Sequence, residues 1–330
     1  AGTLKLGSAT ALGASAGAAS ITSGAVLDLN GQTMTNTNAL TINGTGISSG
    51  GAIINSSATG ATYAGLITLG SASSIVGGTG TIALTHVGTI TGSGYGLTLG
   101  GAQGGSMASI LGTGVGTLTK VDAGTWTLSG ANTYSGATTI SAGTLTVSGS
   151  LSDSTAVSVA AGATYNLGAS DTVGSIAGAG TVALNSYTLT AGGLNTNTEV
   201  SGSITGTGGS LVKTGSGTLT LSGNNTYSGG TTVSAGTLTV SGSSGLGVST
   251  GNLVMSGTSI LDLQGSLTVG ALTMASGNTI TNSTGTSSLI VSGLASLGAS
   301  ITTSGAQTYS DAVTLNTGTT LTTTNSNVLF

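Results

Sequence analysis

The stretch Gly124–Gly149, "GTWTLSGANTYSGATTISAGTLTVSG", contains a regular alternation of apolar and polar residues. Its last part, "GTLTVSG", places Leu145 and Val147 on one side of an extended chain and threonines on the other, which is the period of a β-strand. Each such run lasts about five residues and ends in Gly, Ser or Asn, as a strand bounded by turns does. We expect the Ser and Thr residues to coat the outside. We expect the inward positions to be Leu128, Ile140, Leu145 and Val147, and the corner positions to be Gly130, Gly136 and Gly143.

The same letters return later in the chain. Ala123–Ser150 aligns with Ser216–Ser243, and about 23 of 28 positions are identical. With a looser upstream extension, the two best copies cover residues 116–150 and 209–243. A fainter match aligns Ala1 with Ala235, so the chain begins within a repeat. Because the first residues also lack the features of a signal peptide, we expect a segment of a longer protein.

A shorter period indicates the architecture. The motif Gly-x-apolar-Thr-apolar begins at Gly124 and again at Gly143, and related starts follow at steps of about 18 to 21 residues, as in the coils of a solenoid. One coil cannot bury its own apolar face, so stability belongs to the stack. We predict an all-β, parallel β-solenoid of about 16 coils of roughly 18–22 residues, forming a single elongated domain over residues 1–330.

The composition excludes several classes of protein. Only 3% of the 330 residues are charged, there is no Cys, and the basic residues are Lys5, Lys120 and Lys213. A nucleic-acid-binding protein needs several cations to neutralise phosphates, so no nucleic-acid partner is expected. Disorder is disfavoured because 37% of the chain is hydrophobic and the apolar residues recur regularly.

The repeat, written "G-[ST]-L-x-K-x-x-x-G-T-[WL]-T-L-S-G-x-N-T-Y-S-G-x-T-T-[IV]-S-A-G-T-L-T-V", resembles the passenger-associated repeat of bacterial autotransporters. The tail at residues 305–320, "GAQTYSDAVTLNTGTT", is similar to segments of filamentous-haemagglutinin-like surface adhesins. The resemblance implies a right-handed β-helix, secreted or displayed on the outer membrane of a Gram-negative cell. It also implies a translocator barrel in the full-length protein.

The acidic residues do not form a catalytic pattern. Asp28 and Asp262 occupy matching repeat positions but lie about eleven coils apart, and each stands between two inward leucines, so we expect both to point into solvent. Asn166 fills the related position. The other acids, for which we also predict structural roles, are Asp122, Asp153, Asp171, Asp311 and Glu199. A solenoid hydrolase or lyase needs clustered carboxylates, so this class is disfavoured.

For the other conspicuous side chains we also predict structural roles and no catalytic or binding role. His86 has no second His or Cys at metal-ligand spacing. Lys120 and Lys213 occupy matching positions, where we expect solvated corners. Trp126 becomes Leu219 in the second copy, which indicates core packing. Tyr134, Tyr227 and Tyr309 share a "TYS" position, where we expect packing at the core edge with the hydroxyl at a corner. We predict no catalytic, cofactor-binding or metal-binding residue, no cofactor, and a protein that is not an enzyme.

Three functions remain open. The first is a structural passenger, a rigid stalk or adhesin rod at the cell surface, whose partners would be a host surface, a neighbouring cell or glycans. The second is an extracellular fibre subunit that stacks end to end, since open solenoid ends invite axial self-association. The third is a carbohydrate- or ice-binding solenoid using outward Thr-x-Thr pairs. The ice-binding alternative is disfavoured, because coils of varying length are expected to break a threonine array that must match the ice lattice. The pairs are Thr125/Thr127, Thr144/Thr146, Thr218/Thr220 and Thr237/Thr239.

Overall fold

The structure of the protein, a computed structural model, describes residues 1–241, 245–316 and 318–330. Short parallel β-strands dominate it, and the one helical element among those residues is a 3-10 turn at Ile47–Ser49. The chain divides into two compact units, residues 1–169 and 170–330. The predicted all-β parallel solenoid is confirmed, with about 15 turns. A single domain over the whole chain stays a prediction.

The first unit contains nineteen strands. In chain order they are β1 Thr3–Lys5, β2 Ala19–Ile21, β3 Val26–Asp28, β4 Thr33–Met34, β5 Leu40–Gly44, β6 Ile53–Ile54, β7 Ala61–Tyr63, β8 Ile67–Val76, β9 Ile82–Leu84, β10 Thr89–Ile90, β11 Leu97–Gly100, β12 Gly104–Met107, β13 Ile110–Leu111, β14 Leu118–Lys120, β15 Thr125–Leu128, β16 Thr138–Ile140, β17 Thr144–Val147, β18 Ala156–Val159 and β19 Thr164–Leu167.

These strands form three faces because each turn contributes one segment to each face. The lysine face pairs β1, β3, β6, the end of β8, β11, β14, β16 and β18. The threonine face pairs β4, β7, β9, β12, β15, β17 and β19. The tyrosine face contains β2, β5, the start of β8, β10 and β13, and ends in a bridge between Ala131 and Ser150.

The second unit repeats this arrangement. Its strands are β20 Asp171–Val173, β21 Ser175–Gly178, β22 Thr181–Ala183, β23 Thr188–Ala191, β24 Thr198–Val200, β25 Ile204–Thr205, β26 Ser210–Lys213, β27 Thr218–Leu221, β28 Thr231–Val240, β29 Leu253–Leu263, β30 Ser266–Val269, β31 Leu272–Met274, β32 Thr279–Thr281, β33 Ser288–Val291, β34 Ala295–Leu297, β35 Ile301–Thr303, β36 Gln307–Tyr309, β37 Val313–Leu315, β38 Leu321–Thr323 and β39 Val328–Leu329. Within this unit, β26 pairs with β23 and with the start of β28, while β27 pairs with β24 and with the end of β28.

Turn length is more variable than predicted. Paired residues lie 29 positions apart at Met34 and Tyr63 but 19 apart at Thr139 and Ser158. The second unit stays close to the predicted range, for example between Thr172 and Thr190. The additional residues in the first turns form outward loops, such as the one containing the 3-10 turn. The register between β5 and β8 shifts between Ile42 and Gly44.

The inward positions form the core as expected. Leu128, Ile140, Leu145 and Val147 are all fully buried. Burying a side chain of this kind stabilises the fold by about 1.5–3 kcal/mol. The expectation that Thr residues coat the outside holds for most strands, but Thr138 and Thr231 are buried at matching positions. Thr239 is also buried, so the prediction that it points outward is wrong.

The corner glycines are needed mainly because neighbouring turns approach closely. Gly143 adopts φ 64°, a left-handed conformation that favours glycine. Gly136 has no such φ, but a Cβ atom there would overlap the carbonyl oxygen of Gly116 in the preceding turn. Gly130 is similar, since a Cβ atom there would lie 2.5 Å from the backbone carbonyl oxygen of Ser109. The corners at Gly130 and Gly136 therefore need glycine because there is no room for a side chain, and not because of their φ angle.

Candidate functional site

The most unusual group in the first repeat is a buried lysine. Lys120 ends β14 with its side chain fully buried. Its Nζ donates hydrogen bonds to the carbonyl oxygens of Val121 at 2.6 Å, Asp122 at 2.7 Å and Ala142 at 3.0 Å. Three acceptors use all three donors of the ammonium group. Because Ala142 belongs to the next turn, this lysine ties two turns together.

The second repeat builds the same site. Lys213 is 1% exposed, and its Nζ donates to the carbonyls of Thr214 at 2.6 Å, Gly215 at 2.8 Å and Ala235 at 3.2 Å. The prediction of solvated corners for Lys120 and Lys213 is therefore wrong. The ammonium groups stay inside because the corner presents converging carbonyl groups, which replace the hydration that a surface lysine seeks.

Burial changes the acidity of both lysines. Desolvation lowers the pKa of Lys120 from its ordinary value to about 8, although the nearby Asp122 carboxylate acts in the opposite direction. Desolvation also lowers the pKa of Lys213. The three carbonyl bonds keep each ammonium group hydrogen-bonded despite this cost.

A second element of the repeat is a tyrosine–threonine pair. The hydroxyls of Tyr134 and Thr138 are 2.6 Å apart, and those of Tyr227 and Thr231 are also 2.6 Å apart. Both tyrosines are fully buried, and burial raises the pKa of Tyr227 well above its ordinary range. Each pair joins the tyrosine to the strand that follows it, β16 in the first unit and β28 in the second. Packing in the core with the hydroxyl at a corner is thus found for these two of the three tyrosines.

The third occurrence of the "TYS" position differs from the other two. Tyr309 is buried in β36, and its hydroxyl donates to Gln307 Oε1 at 3.1 Å. Its ring stacks on Phe330 with a centroid distance of 5.5 Å. Tyr309 therefore packs in the core without the threonine partner of the two repeat copies.

The asparagine before each repeat tyrosine bonds to the turns on both sides. Asn132 Oδ1 accepts the Leu111 amide at 2.9 Å, and its Nδ2 donates to the Ser150 carbonyl at 2.8 Å. Asn225 makes the equivalent bonds at 2.7 Å each, from the Ile204 amide and to the Gly245 carbonyl. In both repeats, Lys, Tyr and Asn satisfy buried polar groups of the corners.

Asp28 and Asp262 are buried, which corrects the prediction that both point into solvent. They are 2% and 8% exposed. Asp28 accepts the Ser56 amide at 3.0 Å and the Ser56 hydroxyl at 2.6 Å. Asp262 accepts the Ser283 amide at 2.9 Å and the Ser283 hydroxyl at 2.7 Å.

The physical reason is that the chain of the following turn folds over each carboxylate. Lys5, whose Nζ lies 3.8 Å from Asp28 Oδ2, adds an ion pair in the first unit only. The two aspartates therefore share a structural role in two separate places, as predicted, although their burial was not predicted.

The remaining titratable groups are dispersed. Asp122, Asp153, Asp311 and Glu199 are exposed, and Asp122 accepts the Gly101 amide at 2.7 Å. Asp171 is buried and accepts the Thr172 amide. His86 is half-buried and accepts the Gly88 amide at Nδ1. Over residues 1–241, 245–316 and 318–330, no group of three or more His, Cys, Asp or Glu side chains is placed to hold a metal ion.

Trp126 belongs to the core, as predicted. Its indole points inward from β15 and is fully buried, and Nε1 donates a hydrogen bond to the Gly100 carbonyl oxygen at 2.9 Å. An indole in this position presents no ring face to solvent. The same strand position holds buried Leu219 in the second unit, so both repeats fill it with an apolar side chain.

The outward threonines are in register in the first unit. Thr125 pairs with Thr144 and then Thr164, while Thr127 pairs with Thr146 and then Asn166. The spacings are 19 and 20 residues in these turns, and the effect of variable coil length on an ice-matched array stays a prediction. In the second unit, Thr218 and Thr220 pair with Thr237 and the buried Thr239, and the next strand has Ile260 and the buried Asp262 at these positions.

The fold and the repeat corners together define a class, a parallel β-solenoid built from repeats and consistent with an autotransporter passenger. Residues 118–147 and 211–240 match the family model described as Passenger-associated-transport-repeat. The chain thus carries two of these repeats, and the predicted resemblance is confirmed. The comparisons with curated proteins and with solved structures give no match. The last two residues of the second predicted copy, 242–243, lie outside the described residues, and the similarity of the tail at residues 305–320 stays a prediction.

Among the described residues, no helix has the length and apolar character needed to cross a membrane.

Proposed function

We propose that the protein is a non-enzymatic structural passenger, a rigid β-helical stalk or adhesin rod displayed on the bacterial surface or released from it. The observation that carries this proposal is the match of residues 118–147 and 211–240 to the passenger repeat. In both copies, the lysine and tyrosine side chains form hydrogen bonds with the protein's own corners. The proposal includes a translocator barrel elsewhere in the full-length protein and a host or neighbouring cell surface as partner.

A structural role agrees with the state of the titratable groups. The Asp28 and Asp262 carboxylates each bind an amide and a hydroxyl of the next turn, and the ammonium groups of Lys120 and Lys213 are saturated by carbonyls. Groups committed in this way stabilise the stack. This supports a scaffold whose contacts with other molecules lie on its outward surfaces.

Surface labelling tests the location. An antibody raised against the chain is applied to intact cells of the source bacterium and to the culture medium, with a periplasmic protein as control. We expect the antibody to label intact cells, or to detect the chain in the medium, while the periplasmic control stays unlabelled. Labelling that requires permeabilised cells overturns the proposed location.

A further inference from the structure

A trough crosses three strands of the threonine face in the first unit. It lies over β9, β12 and β15, is open to solvent, and has a volume of about 340 Å³. Its lining includes Thr81, Ala83, Gln103, Ser106, Thr125 and Thr127. β12 begins with Gly104 and Gly105, which carry no side chain; Gly104 pairs with the outward Thr125, and Gly105 pairs with the inward Ile82 and Trp126.

The floor of the trough is a fixed part of the fold. Gly104 has φ 73°, a conformation that disfavours other residues. A Cβ atom on Gly105 would lie 3.0 Å from Trp126 Cη2. Both glycines pair in register with β15, Gly104 with Thr125 and Gly105 with Trp126. The floor is therefore held by strand pairing and by a buried indole, so the trough is formed before any ligand arrives.

The lining offers neutral hydrogen-bonding groups that the protein leaves free. In the part of the chain that the structure describes, the side-chain polar atoms of Thr81, Gln103, Ser106, Thr125 and Thr127 make no hydrogen bond to the protein, and no charged side chain lines the trough. Other outward polar groups on this face already form hydrogen bonds within the protein. Thr146 Oγ1 accepts from Asn166 at 3.2 Å, and Ser148 donates to the Leu128 carbonyl at 3.4 Å.

From this arrangement, we infer that the trough binds a neutral oligosaccharide. Four hydroxyls and one amide supply both donors and acceptors, which is the chemistry of sugar hydroxyls. The Ala83 methyl and the threonine methyls contact the C–H surfaces of a sugar ring. An anionic or cationic ligand finds no opposite charge in the lining, and the net charge of −4 opposes acidic polysaccharides. The volume is within the range of small-molecule sites.

The expected affinity is weak for one site. Neutral hydrogen bonds exchange with water and contribute little net free energy each, so a dissociation constant on the order of 1 mM is expected. Many copies of the chain on one surface would raise the effective affinity by avidity. The inference is independent of the proposed passenger function, since a trough of this kind would bind sugar in the isolated chain.

The test uses the whole purified chain and NMR. Three neutral tetrasaccharides serve as probes, a β-1,4-glucan, a β-1,4-mannan and an α-1,4-glucan, each up to about 10 mM. Binding of at least one is expected to shift the Gly105 amide and the indole N–H of Trp126, the single tryptophan. No shift with any probe, or shifts confined to other faces, overturns the inference.

Two matched double variants locate the site. Thr125→Val with Thr127→Val removes two trough hydroxyls while keeping β-branched side chains, and should weaken binding at least about fivefold. Thr144→Val with Thr164→Val, outside the trough on the same face, should change affinity less than about twofold. Equal losses in both overturn the site.

Two further arms keep the test decisive. Ser106→Phe fills the exposed trough and should abolish binding even if the threonine double variant folds poorly. A tetragalacturonate of equal length should bind more weakly than the neutral probes because it is anionic. Anionic binding as tight as neutral binding contradicts the assignment of a neutral ligand.

Discussion

At the scale of single residues, the charged groups buried in this protein are stabilised by the backbone and not by each other. Lys120 and Lys213 each bond three carbonyls, while Asp28 and Asp262 each accept an amide and a hydroxyl. A buried charge is costly unless its hydrogen-bonding capacity is used. In a chain that is 3% charged, these few charges are therefore structural parts of the corners.

Replacing Lys213 with Met should destabilise the second unit. Three carbonyl oxygens lose a charged donor, while the methionine side chain keeps most of the apolar packing, so we expect a loss of about 2 kcal/mol in the free energy of unfolding. Urea denaturation followed by circular dichroism measures it. Lys5→Met is the control, because the Lys5 side chain is 57% exposed and Asp28 keeps its bonds to Ser56 without it, so the loss should be about 1 kcal/mol or less. Equal effects of the two substitutions would show that the carbonyl bonds of Lys213 are dispensable.

The lysine pKa also predicts a pH dependence. Burial lowers the pKa of Lys120 from 10.5 to about 8. Between these values the unfolded chain binds more protons than the folded chain, so the free energy of unfolding should rise with pH, by no more than about 1.4 kcal/mol per pH unit. Measurements between pH 8 and 9.5 avoid ionisation of the tyrosines. In Lys120→Met this part of the rise should disappear, and an unchanged slope contradicts the assignment to Lys120.

Part of this site could have been predicted from the sequence. In "LTK", strand alternation puts Lys120 on the same side as inward Leu118, so the period itself indicated burial. A general preference of lysine for solvent led to the opposite prediction. Asp28 is different, because its burial depends on Ser56 in the next turn. A local pattern cannot show which residue of a later turn covers a given side chain.

At the scale of the structural element, the tyrosine–threonine pair fixes the corner between the tyrosine and the strand that begins with the threonine. Tyr227→Phe should cost about 1–2 kcal/mol, because the buried Thr231 hydroxyl loses its partner at 2.6 Å. A double-mutant cycle with Thr231→Val measures the coupling between the two hydroxyls. Tyr95→Phe on the exposed Tyr95 is the matched control and should have no measurable effect. A coupling free energy near zero would refute a role for this hydrogen bond.

Close approach at a corner gives a second prediction for the element. Gly136→Ala should destabilise the first unit by roughly 2 kcal/mol or more, since the new methyl overlaps the Gly116 carbonyl of the preceding turn. Gly7→Ala is the control, as its Cβ would meet nothing within 4 Å. The midpoint of thermal unfolding compares the two variants. If the Gly136 variant melts with the wild type, the turns can separate at that corner at little cost.

At the scale of the whole molecule, each turn depends mainly on its neighbours. Repeat proteins of this kind transmit a perturbation over few repeats. Lys120→Met should therefore speed amide hydrogen exchange in β14 to β17 and leave β31 to β36 of the second unit at wild-type rates. Exchange measured by mass spectrometry tests this. Faster exchange of equal size in both regions would indicate global unfolding in place of local loosening.

The fold class was predictable from the sequence because inward Leu, Val and Ile recur once per strand and the strands recur once per turn. Leu145 and Val147 lie where that pattern places them. The first turns were less predictable, because the pairing of Met34 with Tyr63 depends on how much chain the loops absorb. The trough was not predicted either, since its lining comes from three turns and depends on how the strand that begins with Gly104 and Gly105 pairs with the turns on both sides.

The direction of the bonds made by the buried charges has a consequence for how the stack grows. Lys120 reaches forward to Ala142, Lys213 to Ala235, Asp28 to Ser56 and Asp262 to Ser283. Each of these charges stays incompletely bonded until a later stretch of chain arrives, and that arrival then locks the turn already laid down. When the chain folds from its N-terminal end, such contacts favour growth of the stack in one direction, because every new turn raises the free-energy cost of unfolding the turn before it.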